Sequence, residues 1–455
     1  MATTTTRPEP LVEPATEDEQ WAALLRGKGY KAWRANVQAV GGCAKPVRLS
    51  GEAAWVGSDG YPVREISGSI LAACNNRRET VCPACSARYA ADTFHLVRAG
   101  LTGGKGIPET VAGHVRAFVT LTAPSFGPVH NRPTTRTGKP RPCGCGEYHH
   151  EHDTRIGSPL DPQSYDYVGA VLWQAHAPEL WRRFTITASR HLADALGVPR
   201  GKAGDYFRLS YTKVAEYQRR GLVHFHAVIR LDGPDGPTTP PPAGVTPDLL
   251  AAVVKQAAGM VSLTSPDSDT APARVLRWGA QVDAEPIDPT TGGSDDQVVH
   301  DRKVAGYIAK YATKGTGTTI GVDSPIRHEH QIAGLDVTPH ARAMIATAWR
   351  LGGLGEFAQL RLRKWAHMLG FRGHFLTKSR AYSVTFKTLR AARGEHRRTR
   401  ELAELGITDT DSITVINDWA MTGIGYQTAP ERELAAAIAE LTAHKRRARM
   451  QEATP

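Results

Sequence analysis

The chain has 455 residues and a mass of 49.3 kDa, enough for two to four domains. Hydrophobic residues make up 41% and charged residues 22%, with 56 Lys and Arg against 45 Asp and Glu, a net charge of +11. A pI near 9.4 points to polyanionic partners. No apolar run reaches the ~18 residues that span a bilayer, and the polar start has no signal-peptide core. No membrane partner is expected, and the expected setting is the cytoplasm. Six cysteines in a chain this long exclude a disulfide scaffold.

In chain order, residues 1–29 are predicted to be a disordered tail, and 30–105 a cysteine-rich module holding four of the six cysteines. Residues 106–316 form the next predicted domain. It begins with a strand, Phe118–Ala123, followed by a Pro/Gly/basic loop over 124–160. The helical pattern from Tyr165 to Leu196 is expected to be broken near Pro178. Two strands follow, Tyr206–Gln218 and Leu222–Leu231, then a helix Asp248–Met260, a strand Arg274–Val282 and a helix from Val298 to about Lys314. Loop insertions are expected at 232–247, 262–272 and 285–296. The remainder, 317–455, is predicted to be basic and mostly helical. The fold class is therefore α+β, with a mainly antiparallel sheet flanked by helices.

The charge is concentrated. Ala341–Arg400 carries fourteen Lys and Arg and two Glu, a net +12, so the rest of the chain sums to −1. Trp349, Phe357, Trp365, Phe371, Phe375, Tyr382 and Phe386 are interleaved with these basic residues. That pattern suits phosphate neutralisation and base stacking. Removal of 341–455 is expected to weaken duplex binding.

Three His-x-His pairs occur, at 150/152, 224/226 and 328/330, and His224-Phe225-His226 is the one that follows a strand pattern. Residues two apart on a strand face the same side. If Arg219-Arg220-Gly221 makes a three-residue hairpin loop, Glu216 lies opposite His224, roughly 5 Å away. Glu216, His224 and His226 then form a half-shell with open positions for a divalent cation. Mg²⁺ or Mn²⁺ suits phosphate chemistry, while the two imidazoles would also accept zinc, cobalt or nickel. Downstream, VAGYIAKYATK repeats Tyr-x-x-Lys at Tyr307/Lys310 and Tyr311/Lys314. A spacing of four puts both tyrosines on one helical face. A phenol has a pKa of ~10, and a nearby cation can favour its nucleophilic phenolate.

The thiols Cys74, Cys82 and Cys85, with Cys43 upstream or His95 in its place, can supply a closed structural Zn²⁺ site. Cys143 and Cys145 with His149 and His152, or with His150, can supply a second zinc site.

FVTLT (118–122), EYQRRGLVHFH (216–226) and YIAKYATK (307–314) occur in that order. This arrangement resembles the three motifs of rolling-circle replication initiators of the HUH endonuclease superfamily. The double tyrosine resembles the branch that contains the gene A proteins of small single-stranded DNA phages. With the cysteine-rich part and LGFRGHF (369–375), the chain is similar to Rep initiators of actinobacterial plasmids and integrative elements. The resemblance implies an HUH-type domain and a nicking, strand-transferring enzyme on single- and double-stranded origin DNA. His224, His226 and Glu216 would hold the metal. Tyr307 or Tyr311 would become linked to the 5′ phosphate, with Lys310 and Lys314 orienting it. A host helicase and replisome would be partners. No nucleotide cofactor is expected, and no G-x-x-x-x-G-K-[ST] occurs. Alternatives are a transposase or mobilisation nuclease with the same chemistry, and a non-catalytic zinc-dependent DNA-binding regulator.

Overall fold

The computed structural model describes residues 16–287, 294–313, 322, 324–407 and 413–452. They fall into two units, one built from both ends of the chain (up to Ala87 and from Arg398) and one from Arg88–Arg397. No described helix is long and apolar enough to cross a membrane.

In the first unit, the stretch expected to be a disordered tail is helical from residue 17. Helix α1 (Glu17–Arg26) opens on a capping box. The Glu19 N–H donates to Thr16 Oγ1 (3.3 Å) and the Thr16 N–H donates to the Glu19 carboxylate (2.7 Å), which satisfies donors that a helix start leaves open. Helix α2 (Tyr30–Ala39) and an antiparallel hairpin, β1 (Val47–Val56) and β2 (Pro62–Ala72), follow. The third strand comes from the far end of the chain: β10 (Thr414–Ile424) pairs along the length of β1. The C-terminal helix (Ala429–Glu452) packs against α1 and α2. The expected boundary at 317 is therefore displaced. Residues from 398 onward complete the first unit, because β1 recruits its second neighbour from them.

In the second unit five antiparallel strands run in the order β8-β3-β5-β4-β9. They are β3 (Arg116–Leu121), β4 (Arg208–Tyr217), β5 (Val223–Asp232), β8 (Val282–Ile287) and β9 (Leu376–Lys378). A separate ribbon joins β6 (Ser262–Thr264) to β7 (Val275–Arg277). The strand expected at 274–282 thus divides between β7 and β8, and the insertion expected from 285 begins inside β8. That strand reads VDAEPI, a polar, Pro-bearing sequence suited to a sheet edge. The next part of that insertion, 288–293, lies outside the described residues, and 294–296 are helical. Helix α4 (Tyr167–Ala195) runs unbroken through Pro178. Burial of Trp173, Leu180, Trp181 and Phe184 on both sides of the proline holds it helical against the local preference.

The pleat divides the labour of this sheet. Ala117, Val119, Leu121, Ala215, Phe225, Ala227 and Ile229 face α4 and α5 (Pro247–Met260) in the larger core. Val214, Val228 and half-buried Phe118 face the opposite way, toward Leu96, Val97 and Leu101 of α3 (Pro83–Thr102) and Ala305, Ile308 and Ala312 of α6 (Ser294–Thr313). A buried ion pair locks α6 to this face. Arg116 Nη1 donates to both oxygens of Asp301 at 3.2 Å and to the Leu101 carbonyl at 2.9 Å.

Six of the seven aromatics of the basic segment do not serve as stacking platforms; Trp365 alone is half-buried without a place in the core. Trp349, Phe357, Phe371, Phe375 and Tyr382 are buried in the second unit, and Phe386 stacks on Tyr89 at 5.0 Å. The alternation of basic and aromatic residues is that of short helices and turns with one wet and one dry side. Truncation at 341 would therefore strip the core and is not a test of DNA binding.

Lys213 is buried on the larger core's face, with Nζ 3.9 Å from the Phe225 ring centroid and 5.5 Å from that of Trp181. Burial lowers its pKa from 10.5 to about 7. Between those values the unfolded chain binds more protons, so the penalty of burying the charge is full below pH 7 and fades as pH rises toward 10.5. Lys213→Met should raise stability by about 1–4 kcal/mol at pH 6. Thermal melts from pH 6 to 10 should show the gap between variant and parent narrowing, and a pH-independent gap would count against the burial cost.

Candidate metal centre and tyrosine pair

The site is built on the β4–β5 hairpin. The Gln218 N–H donates to the Leu222 carbonyl at 2.9 Å, and Arg219-Arg220-Gly221 forms the loop. Gly221 takes φ +73°, the left-handed conformation such a loop requires at that point. The buried Gln174 amide of α4 clamps the turn, donating to the Gly221 carbonyl (3.0 Å) and accepting from the Val223 N–H (3.0 Å). His340, also buried, has Nε2 3.1 Å from the Arg220 carbonyl. In the resulting register Glu216 pairs with His224.

Glu216 Oε2 lies 2.9 Å from His224 Nε2 and 3.1 Å from His226 Nε2, and the two Nε2 atoms are 3.0 Å apart. Three adjacent ligands of an octahedral cation at about 2.1 Å lie roughly 3.0 Å from one another, so the spacing fits a facial shell. Hydrogen bonding accounts for the cluster less well, because two N–H groups aimed at one carboxylate oxygen would crowd each other. Thr120 Oγ1 is 3.1 Å from His226 Nδ1. An Nδ1–H donated to Thr120 leaves the Nε2 lone pair free for a metal, a common outer-shell arrangement. Burial is the largest influence on Glu216 and opposes its ionisation, but the close polar contacts of His224 and His226 prevail and hold the carboxyl at about 2. Burial pushes the His226 imidazole below its usual range. Anionic Glu216 and neutral His226 are the forms that ligate.

Helix α6 brings a tyrosine to this cluster. Tyr307 Oη is 3.2 Å from His226 Nε2, from a position 81 residues downstream. Tyr311 lies one turn on, its ring 4.6 Å from that of Tyr307 and 5.5 Å from His226. Phe118 props both partners, stacked on His226 at 6.0 Å and edge-on to Tyr307 at 5.7 Å. Tyr307 is 37% exposed, so its hydroxyl can meet a substrate. Burial first, then Tyr311 and Glu216, push its phenol above the ordinary value of 10. Lys310 Nζ sits 5.8 Å from the Tyr311 ring centroid, and Lys314 lies outside the described residues. Beside the cluster opens a cleft of about 730 Å³ lined by Glu216, His224, Arg219 and, from the loop before α4, Glu151, His152 and Asp153.

In the first unit Cys43, rather than His95, completes the group with Cys74, Cys82 and Cys85. Sulfur separations of 3.6, 3.7 and 3.8 Å match the roughly 3.8 Å edge of a tetrahedron with 2.3 Å Zn–S bonds. They are far too long for a disulfide. The Ala44 and Cys74 N–H groups point at the Cys82 and Cys43 sulfurs, each at 3.3 Å.

The second expected cluster has a different membership. Cys143, Cys145 and His149 come together, but His130 completes the group. His150 and His152 are exposed, and the His152 N–H turns to His150 Nδ1. Sequence proximity favoured His152. His130 reaches the cluster because the loop doubles back, which no local spacing reveals. Thr120 and Phe118 belong to the FVTLT strand motif, and nothing in that pattern gives either of them a role of its own.

Two comparisons place the chain in a known class of proteins. The chain belongs to the RepSA family, whose description reads "Replication initiator protein, pSAM2" and whose sequence profile matches residues 29–440. It is 43% identical over 451 residues to a replication initiator protein of Streptomyces ambofaciens, covering 95% of this chain and 94% of that one. No solved structure matches.

Thr120→Val, which keeps the shape and removes the hydroxyl, should weaken divalent-cation binding about 10–100-fold. Mn²⁺ titration followed by electron paramagnetic resonance measures it, and an unchanged affinity would show that Thr120 does not orient His226.

Proposed function

We propose that the protein is a rolling-circle replication initiator of the HUH type that nicks origin DNA by tyrosine transesterification. The observation that carries this reading is the contact of Tyr307 Oη with His226 Nε2, which joins a nucleophile to a ligand set with open positions. Glu216, His224 and His226 would hold Mg²⁺ or Mn²⁺. The cation, when bound, would polarise a phosphate oxygen and lower the phenol pKa. Tyr307 attacks the phosphorus, forming a Tyr–O–P bond as the P–O3′ bond breaks. The phenol loses a proton and the leaving oxygen gains one. The result is a 5′-phosphotyrosine and a free 3′-OH primer, with one phosphodiester exchanged for another and no call on ATP. Tyr311, one turn away, would carry out a second transfer that closes the displaced strand, and Lys310 would neutralise the phosphate.

The four thiolates of Cys43, Cys74, Cys82 and Cys85 would hold a structural Zn²⁺. Unwinding would fall to a host helicase, with the replisome extending the primer. Membership of an initiator family favours replication over transposition or mobilisation.

A labelled single-stranded origin oligonucleotide with Mn²⁺ tests the chemistry. The parent should yield a denaturant-resistant protein–DNA adduct. Tyr307→Phe and His224→Ala should each lower nicking by roughly three orders of magnitude or more. Full nicking by the Tyr307→Phe/Tyr311→Phe double variant, or by His224→Ala, would overturn the mechanism. An absence of any adduct from the parent would favour a non-catalytic DNA-binding regulator.

The exposed basic residues of 341–397 would grip the duplex. Arg350, Lys364 and Arg372 are all exposed. Replacing the three with Gln should flatten the dependence of binding on salt by about 0.9 logarithmic units for each phosphate that is no longer neutralised. Binding measured from 50 to 300 mM salt reads the slope, and an unaltered slope would place the DNA elsewhere.

A further inference from the structure

The excursion between β3 and α4 has almost no core of its own. From Asn131 to Ile156 only two residues are buried, Cys143 and His149. Both belong to the group formed with His130 and Cys145, whose ligand atoms all lie within 4.8 Å of one another. His149 Nε2 is 3.2 Å from His130 Nδ1 and 3.3 Å from the Cys145 sulfur, and the Cys143 sulfur is 4.0 Å from His130 Nδ1. Tetrahedral zinc with 2.0–2.1 Å Zn–N and 2.3 Å Zn–S bonds requires separations of roughly 3.3–3.8 Å. The surroundings also suit a metal. His149 Nδ1 is 2.7 Å from Asp153 Oδ2, and a proton there leaves Nε2 as a lone pair facing the cluster. Asp153 is in turn held by Arg155 at 2.9 Å, a carboxylate–histidine–metal relay. The Asn131 N–H points at the Cys143 sulfur at 3.4 Å.

We infer that His130, Cys143, Cys145 and His149 form a second, Cys₂His₂ zinc site that folds this loop and sets one wall of the cleft beside Glu216 and His224. The loop meets the ligand-bearing hairpin in two places. The Glu151 carbonyl accepts from Arg219 Nη1 at 2.7 Å. Gly157, at φ +92°, packs so closely that a Cβ would collide with the Arg219 backbone. Without a metal, little apolar burial opposes the conformational entropy of some twenty-five residues. With it, Glu151, His152 and Asp153 are fixed along the cleft.

The test uses the full chain, treated with a weak chelator in excess Mg²⁺ to clear zinc from the triad. Two zinc ions per chain should remain. X-ray absorption at the zinc edge should give a mean shell of three sulfurs and one imidazole nitrogen, the average of a Cys₄ and a Cys₂His₂ site. His130→Ala and Cys145→Ser should each leave one zinc, and His152→Ala should leave two. In the first two variants trypsin should cut after Arg136, in the Arg136–Thr137 bond, at least tenfold faster. The absorption measurement needs no variant, so a variant that fails to fold does not obscure the result. An all-sulfur shell with one zinc per chain, or two zinc ions retained in His130→Ala, would overturn the site. The zinc count is independent of nicking, so its failure and that of the proposed mechanism are separately visible.

Discussion

The candidate site depends on one constraint, the two-residue period of the β4–β5 hairpin. Register fixes which residues share a face, and a slip of one residue would exchange the two sets. In the observed register Ala215, Phe225 and Ala227 enter the larger core. Glu216, His224 and His226 then have no choice but to converge on the other side. The apolar side enforces the polar one, because turning Phe225 outward would forfeit the burial of a whole aromatic ring. Gln174 and Gly221 finish the work at the turn, where the backbone groups would otherwise lack partners.

The second requirement is that a helix far away in sequence sit at a fixed height over this face. Ala305, Ile308 and Ala312 supply an apolar stripe that could slide along a sheet surface with small loss. The Arg116–Asp301 pair removes that freedom. Both side chains are buried, and Arg116 also donates to the Leu101 and Ala112 carbonyls. A buried pair contributes little net stability but makes a displaced arrangement expensive, since either charge alone would be stranded. Tyr307 follows Asp301 by six residues, so the pin acts within two turns of the hydroxyl it positions.

Much of this was legible in the sequence, and what was not has identifiable causes. Strand periodicity with a three-residue loop is a local signal, and it predicted that Glu216 would face His224. Tyr307 and Tyr311 were likewise expected on one helical face, from a spacing of four. Long-range pairing left no such mark. Nothing in Thr414–Ile424 announces that it will pair with Val47–Val56, so the C-terminal part read as helical and separate. His130 and Cys143 are joined by a loop reversal, and the nearer His152 took its place in the expectation. Trp349, Phe357, Phe371, Phe375 and Tyr382 read wrongly as stacking platforms because a basic, aromatic composition describes both a nucleic-acid surface and an amphipathic shell over a core. Only burial separates them.

That distinction bears on the proposed division between gripping and cutting. Most basic side chains of 341–397 stay at the surface while their aromatic neighbours hold the second unit together, so the positive field is spread over that unit's surface. The triad itself carries one anionic carboxylate and His226 held neutral by burial, and Tyr307 is kept protonated by its surroundings. A neutral phenol beside an anionic ligand set is a poor nucleophile toward an anionic phosphodiester. Under the proposed mechanism the site is therefore inert until cation and strand arrive together. Phosphate affinity supplied from outside the reacting centre is then useful, because it can deliver DNA without placing permanent positive charge against Tyr307, where it would ionise the phenol before the strand was in place. Under that mechanism, a protein that must cut only at an origin would gain from keeping its affinity and its nucleophile on different residues.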